Sequence, residues 1–333
     1  MKLINVTKLT LYIIILTARV ITISSSNILI IWLCLELNLF SFIPILIKNN
    51  SNSETEASLT YFLAQTLGST MFLFRRTMTL MTHLLIEWNK VIIVISIILK
   101  LGIAPCHHWY PIVIEIIRWI NCFILSGWQK LAPLFILIYF IAPNIKKIIP
   151  TMLLILSINA ITGGLLGLNQ TSLKKIIAYS SITHARWILR GLIINTPDLS
   201  VTYLFLYILT TFPLFFTFNS INSDKVNDLW NDHKLNNCLI IIICFILISL
   251  AGVPPITGFI PKLLILNRLI EHSTILRISL ITGSVINLFF YTNICLNMLI
   301  RNQLVPIKGY KKSIIRLNTV IALNLLGFFI LAT

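Results

Sequence analysis

The chain has 333 residues, of which 57% are apolar and only 11% charged, whereas soluble domains carry roughly a quarter charged residues. That excludes an ordinary water-soluble fold, and the apolar content excludes a disordered chain. The balance of 26 Lys+Arg against 10 Asp+Glu, formally +16, would suggest nucleic acid in a soluble protein. In so apolar a chain it reads instead as a polytopic membrane protein with no nucleic-acid partner.

A spanning helix needs roughly 20 mostly apolar residues, so with connections the length holds about 10–11 helices. The expected fold is therefore all-α, a polytopic transmembrane bundle forming one domain over 1–333. Apolar runs of spanning length lie at 3–23, 28–47, 57–82, 91–105, 112–143, 148–168, 174–195, 199–219, 238–260, 273–300 and 315–332. The run 112–143 is long enough for one broken helix or two short ones. Lys2 and Lys8 precede an apolar stretch as in a signal peptide, but no Ala-x-Ala site follows and many more spans do. Polar clusters at 48–56, 143–147 and 220–237 mark loops, and the basic stretch 301–316 favours the negative side of a membrane. Six scattered cysteines without a CxxC pair argue against a disulfide framework or an iron–sulfur site.

Two places interrupt the apolar pattern in a similar way: Lys100-Leu-Gly-Ile-Ala-Pro105 and Gly252-Val-Pro-Pro-Ile-Thr-Gly-Phe-Ile-Pro-Lys262. Each joins Gly and Pro to one Lys. Broken helices persist in a bilayer only where the freed backbone is buried or lines a cavity, and paired interruptions point to an inverted-repeat transporter. The plainer alternative is that both are helix ends near the interface.

Glu36, Lys100, Lys130 and Lys262 stand within or at the ends of apolar spans. A charge at bilayer depth costs about 3 kcal/mol on insertion scales, so such residues face partners or water. Burial opposes the charged forms of both Glu and Lys, and a line of them joined by water can pass protons. Snorkelling to the interface is the alternative for each Lys. Lys174, Lys175 and His184 lie near or within one further helix and form a possible relay, since His exchanges protons near neutrality; a hydrogen-bonded polar helix face is the other reading. Gly163-Gly-Leu-Leu-Gly167 lacks the context of a nucleotide site and reads as helix packing. Cys106-His107-His108 has no second pair of ligands at useful spacing, so no metal site is expected, and no nucleophile–base or redox-cofactor motif is present.

The segments Trp32-Leu-Cys-Leu-Glu36-Leu-Asn38, Thr55-Glu-Ala-Ser-Leu-Thr-Tyr-Phe62, Lys100–Pro105 with His107 and Trp109, Trp128-Gln-Lys130, Gly163-Gly164 through Asn169-Gln-Thr-Ser-Leu173, Ala178–His184, Gly252–Lys262 and Asn287–Tyr291 occur in this order. Together they resemble the mitochondrial NADH dehydrogenase subunit 2 family, antiporter-like proton-pumping subunits of respiratory complex I. The resemblance covers about residues 1–300, with the translocating region at about 25–300. It implies a multi-pass subunit of the mitochondrial inner membrane with two inverted repeats, coupling electron transfer from NADH to ubiquinone to proton translocation. It also implies a proton relay of Glu36 (the half-channel glutamate), Lys100, Lys130 (the central lysine) and Lys262. The NADH, FMN, iron–sulfur and ubiquinone sites would belong to other subunits, with neighbouring membrane-arm subunits and cardiolipin as partners. A stand-alone cation/proton antiporter subunit is the alternative.

The chain departs from the family at Cys106 and His108, where the family usually carries Phe, and at Leu263, where it carries Trp. Arg19, Arg75, Arg76, Arg118, Arg186 and Arg190 also fall in apolar spans without evident acidic partners. We read them as AGA or AGG codons, which invertebrate mitochondria translate as Ser. The same misreading turns AUA from Met to Ile, in keeping with 63 Ile against 6 Met; a decayed nuclear copy of the gene is the alternative. Sequencing the coding DNA tests this reading: AGA or AGG is expected at positions 75 and 76, and CGN codons there would end it.

Overall fold

The computed structural model describes residues 2–47, 51–81, 86–141, 145–194, 196–221, 223–226, 237–254, 256–269 and 274–302. The expected span 315–332, nearly all of the basic stretch 301–316, Pro255 and parts of the three expected loops lie outside them. The described secondary structure is helical, apart from one isolated antiparallel bridge between Ser172 and Lys225. In chain order the helices are α1 (Lys2–Ser24), α2 (Ile28–Leu46), α3 (Asn52–Met81), α4 (Ile86–Leu101), α5 (Trp109–Ile116), α6 (Trp119–Phe123), α7 (Gln129–Ile141), α8 (Ile145–Leu168), α9 (Leu173–Ile193) and α10 (Pro197–Ile221). They continue with α11 (Asn237–Ala251), α12 (Phe259–Arg268) and α13 (Thr274–Asn302).

This is the expected all-α membrane bundle. Among the described residues five stretches are long and apolar enough to cross a membrane: Val6–Ser24, Ile28–Leu46, Trp119–Tyr139, Pro197–Ile221 and Arg277–Ile300. Their outward faces carry Val20, Leu33, Phe40, Phe205, Phe216 and Val285, as a hydrocarbon solvent permits. The run 112–143 is broken where Ile117 and Arg118 turn extended, with ψ of 161° and 155°. A π-helical turn, Ile124–Trp128, then joins α6 to α7.

α9 is the hub. It packs against α5, α8, α10, α12 and α13 and is buried along its length except at Lys175, Tyr179 and Ile193. With almost no face turned to lipid, it buries Ser180, Ser181, Thr183, His184, Arg186 and Arg190 in mid-helix.

The two interruptions read from the sequence end their first helices alike. At the first, Gly102 has φ 65°, its N–H donates to Leu99 O (3.2 Å), and Ile103 N–H donates to Ile98 O (3.3 Å). At the second, Gly252 has φ 83°, its N–H donates to Ile248 O (3.1 Å), and Val253 N–H reaches the same oxygen at 3.5 Å. Both are glycine-capped helix ends in which a left-handed residue folds the chain back over the last carbonyls. Side chains add to this at the first break: Trp109 Nε1 also donates to Leu99 O (3.1 Å), and Ala104 N–H donates to Asn159 Oδ1 (3.3 Å). A side chain at Gly102 would need a left-handed conformation costing about 1–2 kcal/mol, and its Cβ would meet Tyr110 Cβ at 2.8 Å. Gly102→Ala is therefore expected to lower the melting temperature of the membrane-embedded protein, and an unchanged melting curve would refute the argument.

Candidate functional site

The helix ends and breaks bring five of the sequence-predicted residues into one line, four of them buried. Glu36 on α2 is half-buried and accepts a hydrogen bond from Ser69 on α3. One turn earlier on α3, Gln65 and Lys100 hold each other. Gln65 Nε2 donates to Lys100 O (3.2 Å) and Lys100 Nζ donates to Gln65 O (3.4 Å). The lysine stem crosses Gly68, where a Cβ would meet Lys100 Cγ at 2.9 Å. The sequence needs glycine here because the stem occupies that space.

Lys100 and Lys130 face a common cavity of about 10 Å³, also lined by Asn38, Gln65 and Gln129. That is room for about one water. Asn38 and Gln129 join their amides, Asn38 Nδ2 donating to Gln129 Oε1 at 2.7 Å and Gln129 Nε2 to Asn38 Oδ1 at 3.2 Å. Lys130 is the second residue of α7, just past the π turn, and its Nζ donates to Ser181 O on α9 at 3.2 Å. The same ammonium lies 5.1 Å from the Tyr110 ring centre and 5.8 Å from that of Tyr207. Ring faces attract a cation without forming an ion pair. The Ser181 and Tyr110 hydroxyls are 2.8 Å apart.

His184 follows Ser181 by three residues and so presents from nearly the same face of α9. Its Nδ1 is 2.8 Å from the Tyr203 hydroxyl, and its ring centre is 5.0 Å from that of Tyr207. A second cavity of about 10 Å³ touches His184, Tyr207, Thr210, Ser249 and Leu250. Leu250 is where Lys262 arrives from across the second break: Lys262 Nζ donates to Leu250 O (3.2 Å) and Ala251 O (2.7 Å), the terminal carbonyls of α11.

The line thus runs Glu36, Lys100, Lys130, His184, Lys262. Lys174 and Lys175 stand apart from it at the start of α9, in ion pairs. Lys174 Nζ is 2.7 Å from Asp224 Oδ1 and Lys175 Nζ is 2.7 Å from Glu115 Oε2. Sequence reading missed Gln65, Asn38, Gln129, Ser181, Tyr110, Tyr203 and Tyr207. For the three amides the signal was available, as polar residues inside spanning runs.

The six arginines divide. Arg118 is exposed at the break before α6 rather than within a span, Arg75 is half-buried on α3, and the side chain of Arg76 lies outside the described residues. Arg19, Arg186 and Arg190 are buried. Arg19 reaches Gln129. Arg186 donates to Ser279 O and Leu280 O on α13, both at 3.0 Å, and lies against Gly283. Among the described residues no carboxylate pairs with these three.

Comparison with known proteins adds to this geometry. Residues 25–287 match the family described as NADH:quinone oxidoreductase/Mrp antiporter, transmembrane. The chain is 40% identical over 281 residues to the NADH-ubiquinone oxidoreductase chain 2 of Lumbricus terrestris, covering 84% of this chain and 83% of that protein. It is 39% identical over 298 residues to the protein of the same name from Oryctolagus cuniculus, covering 85% and 84%. Among solved structures it is similar in fold to a chain of respiratory complex I from Thermus thermophilus, with TM-score 0.83 at 20% identity, covering 96% of this chain and 78% of that one. A chain of the Mrp complex from Dietzia sp. gives TM-score 0.78 at 14% identity, covering 90% and 61%.

The ion pair at the start of α9 supplies a test of what Lys174 does. Its side chain is 7% exposed while that of Asp224 is 60% exposed, so the pair falls between the surface and buried cases. Asp224→Asn is expected to cost about 1–2 kcal/mol, between the value of an exposed pair and that of a buried one, read as a lowered melting temperature. A variant as stable as the parent would show that the buried lysine does not need its partner.

Proposed function

The chain belongs to the NADH-ubiquinone oxidoreductase chain 2 family, within the NADH:quinone oxidoreductase/Mrp antiporter transmembrane proteins, and we propose that Glu36, Lys100, Lys130, His184 and Lys262 form its proton path. As a member it is a multi-pass subunit of the mitochondrial inner membrane and part of the proton-translocating NADH:ubiquinone oxidoreductase. The observation that carries the path is the buried line itself. Lys100 and Lys130 share one water-sized cavity and a second lies between His184 and the Leu250 end of α11, and each ammonium is held by carbonyls or rings rather than by a carboxylate.

Such holders matter because a proton must leave as readily as it arrives. A carbonyl stabilises the ammonium yet accepts no proton itself, so Lys130 can go neutral without abandoning a bare buried anion. A proton on Lys130 also repels protons from its neighbours through a low-dielectric interior. Occupancy of one lysine therefore biases the next, and a charge change arriving at one end is passed along the line. The tyrosines and amides position the lysines and any water in the cavities. The working region on this reading is one antiporter-like domain within 1–333, with translocation at about 25–300. NADH, FMN, the iron–sulfur clusters and ubiquinone bind to other subunits; neighbouring membrane subunits are the partners, with cardiolipin among the surrounding lipids. The ion-paired Lys174 and Lys175 fit anchoring of α9 better than relay.

Lys130→Ala in the assembled complex tests the path. Proton transfer by a positioned side chain is worth roughly 10²–10⁴-fold, so proton translocation by this subunit is expected to collapse while the complex still assembles. Full pumping in that variant would instead make the chain a scaffold. Purification without NADH dehydrogenase activity would favour a stand-alone antiporter subunit.

A further inference from the structure

Two cysteines that the proton path does not use face one another deep in the bundle. Cys244 sits in mid-α11 and Cys295 in the second half of α13, 6% and 4% exposed. Cys244 Sγ lies 4.0 Å from the backbone oxygen of Cys295, and Cys295 Sγ lies 3.8 Å from that of Cys244. The contact is reciprocal, across helices 51 residues apart in sequence. Cys122, by contrast, turns its thiol to Ile114 O and Ile117 O in its own stretch of chain.

A thiol reaches only one bond beyond Cβ. Two helices whose cysteine sulfurs each lie within 4.0 Å of the opposite backbone oxygen therefore pass close to one another at this point, and a disulfide bridges Cα atoms roughly 4.4–6.8 Å apart. We infer that Cys244 and Cys295 are a dithiol that closes to a disulfide between α11 and α13 when hydrogen peroxide enters the bilayer. Both cysteines are free thiols in the structure. In the first step one sulfur attacks a peroxide oxygen and the O–O bond breaks, giving a sulfenic acid and one water. In the second, the neighbouring thiol displaces the sulfenic hydroxyl as the other water and the S–S bond forms. Two thiols and one peroxide give one disulfide and two waters.

Burial selects both the oxidant and the outcome. Buried thiols are ordinarily inert, so the first step is slow and open only to a small neutral oxidant. Once a sulfenic acid forms, its partner is already in contact, and the second step gains the advantage of an intramolecular reaction. The same burial shields the disulfide from bulky, charged glutathione. The tether would lie eight residues before Gly252, about 12 Å along α11, and would fix α11 to α13 just ahead of the break whose carbonyls hold Lys262.

The test uses membranes carrying the assembled complex, treated with hydrogen peroxide, denatured, labelled with a maleimide, digested and analysed by mass. The peptides bearing Cys244 and Cys295 are expected to lose maleimide label together. A joined species lighter than their sum by two hydrogens should appear and vanish on treatment with dithiothreitol. In Cys244→Ser the joined species is expected to be absent and Cys295 to stay labelled. The inference is overturned if both thiols remain labelled at peroxide doses that oxidise the part-exposed Cys106. It is equally overturned if Cys295 loses its label as readily in Cys244→Ser as in the parent.

Discussion

Hydrocarbon offers no hydrogen bonds, so a carbonyl released at a broken helix and an ammonium buried nearby each need the other. Leu250 O and Ala251 O end α11 with no further helical donor, and Lys262 occupies both. Gly252 makes this possible by turning left-handed and letting the chain leave the helix axis within a residue. An added Cβ there would meet Lys262 Nζ at 2.6 Å, so the same glycine also vacates the room the ammonium fills. The break and the charge are one structural solution.

At the first break the arrangement differs. Lys100 lies in the last turn before the break rather than after it, and its partner carbonyl comes from Gln65 on α3. The released carbonyl of Leu99 accepts from the Gly102 N–H and from the indole of Trp109 instead of from a lysine. Lys130 shows a third variant, where a π turn precedes the lysine and Pro133 follows, but the accepting carbonyl, Ser181 O, belongs to α9. The line is thus supported by α3, α9 and α11 in turn, and α9, almost wholly buried, is the element that joins its halves.

The all-helical membrane fold and both interruptions were legible because their signals are local: apolar runs of spanning length, and Gly, Pro and Lys together. Other features were illegible for reasons that can be named. The break at Ile117–Arg118 carries neither Gly nor Pro, so the run 112–143 showed only that it was too long for one helix. Lys174 and Lys175 read like His184 because their acids, Asp224 and Glu115, lie about fifty and sixty residues away. The pairing of Gln65 with Lys100 and the approach of Tyr207 to His184 depend on helix packing that periodicity does not encode. Cys244 and Cys295 looked scattered for the same reason.

The contrast between the two kinds of buried lysine bears on chemistry. Lys174 has a carboxylate at 2.7 Å, a charged partner of the kind that fits the anchoring of α9 proposed above. Lys130 and Lys262 have carbonyl oxygens and, for Lys130, aromatic faces. Those holders are neutral in both states of the lysine, so releasing the proton costs the ammonium's hydrogen bonds but strands no opposite charge. Glu36 is the acid in the line, and it stands at one end beside a hydroxyl, Ser69. A chain meant to hold its charges would have placed acids between the lysines. Here amides and a space the size of a water lie between Lys100 and Lys130 and rings lie beside Lys130, and on the path we propose such neighbours would tolerate a proton in the membrane and still let it move.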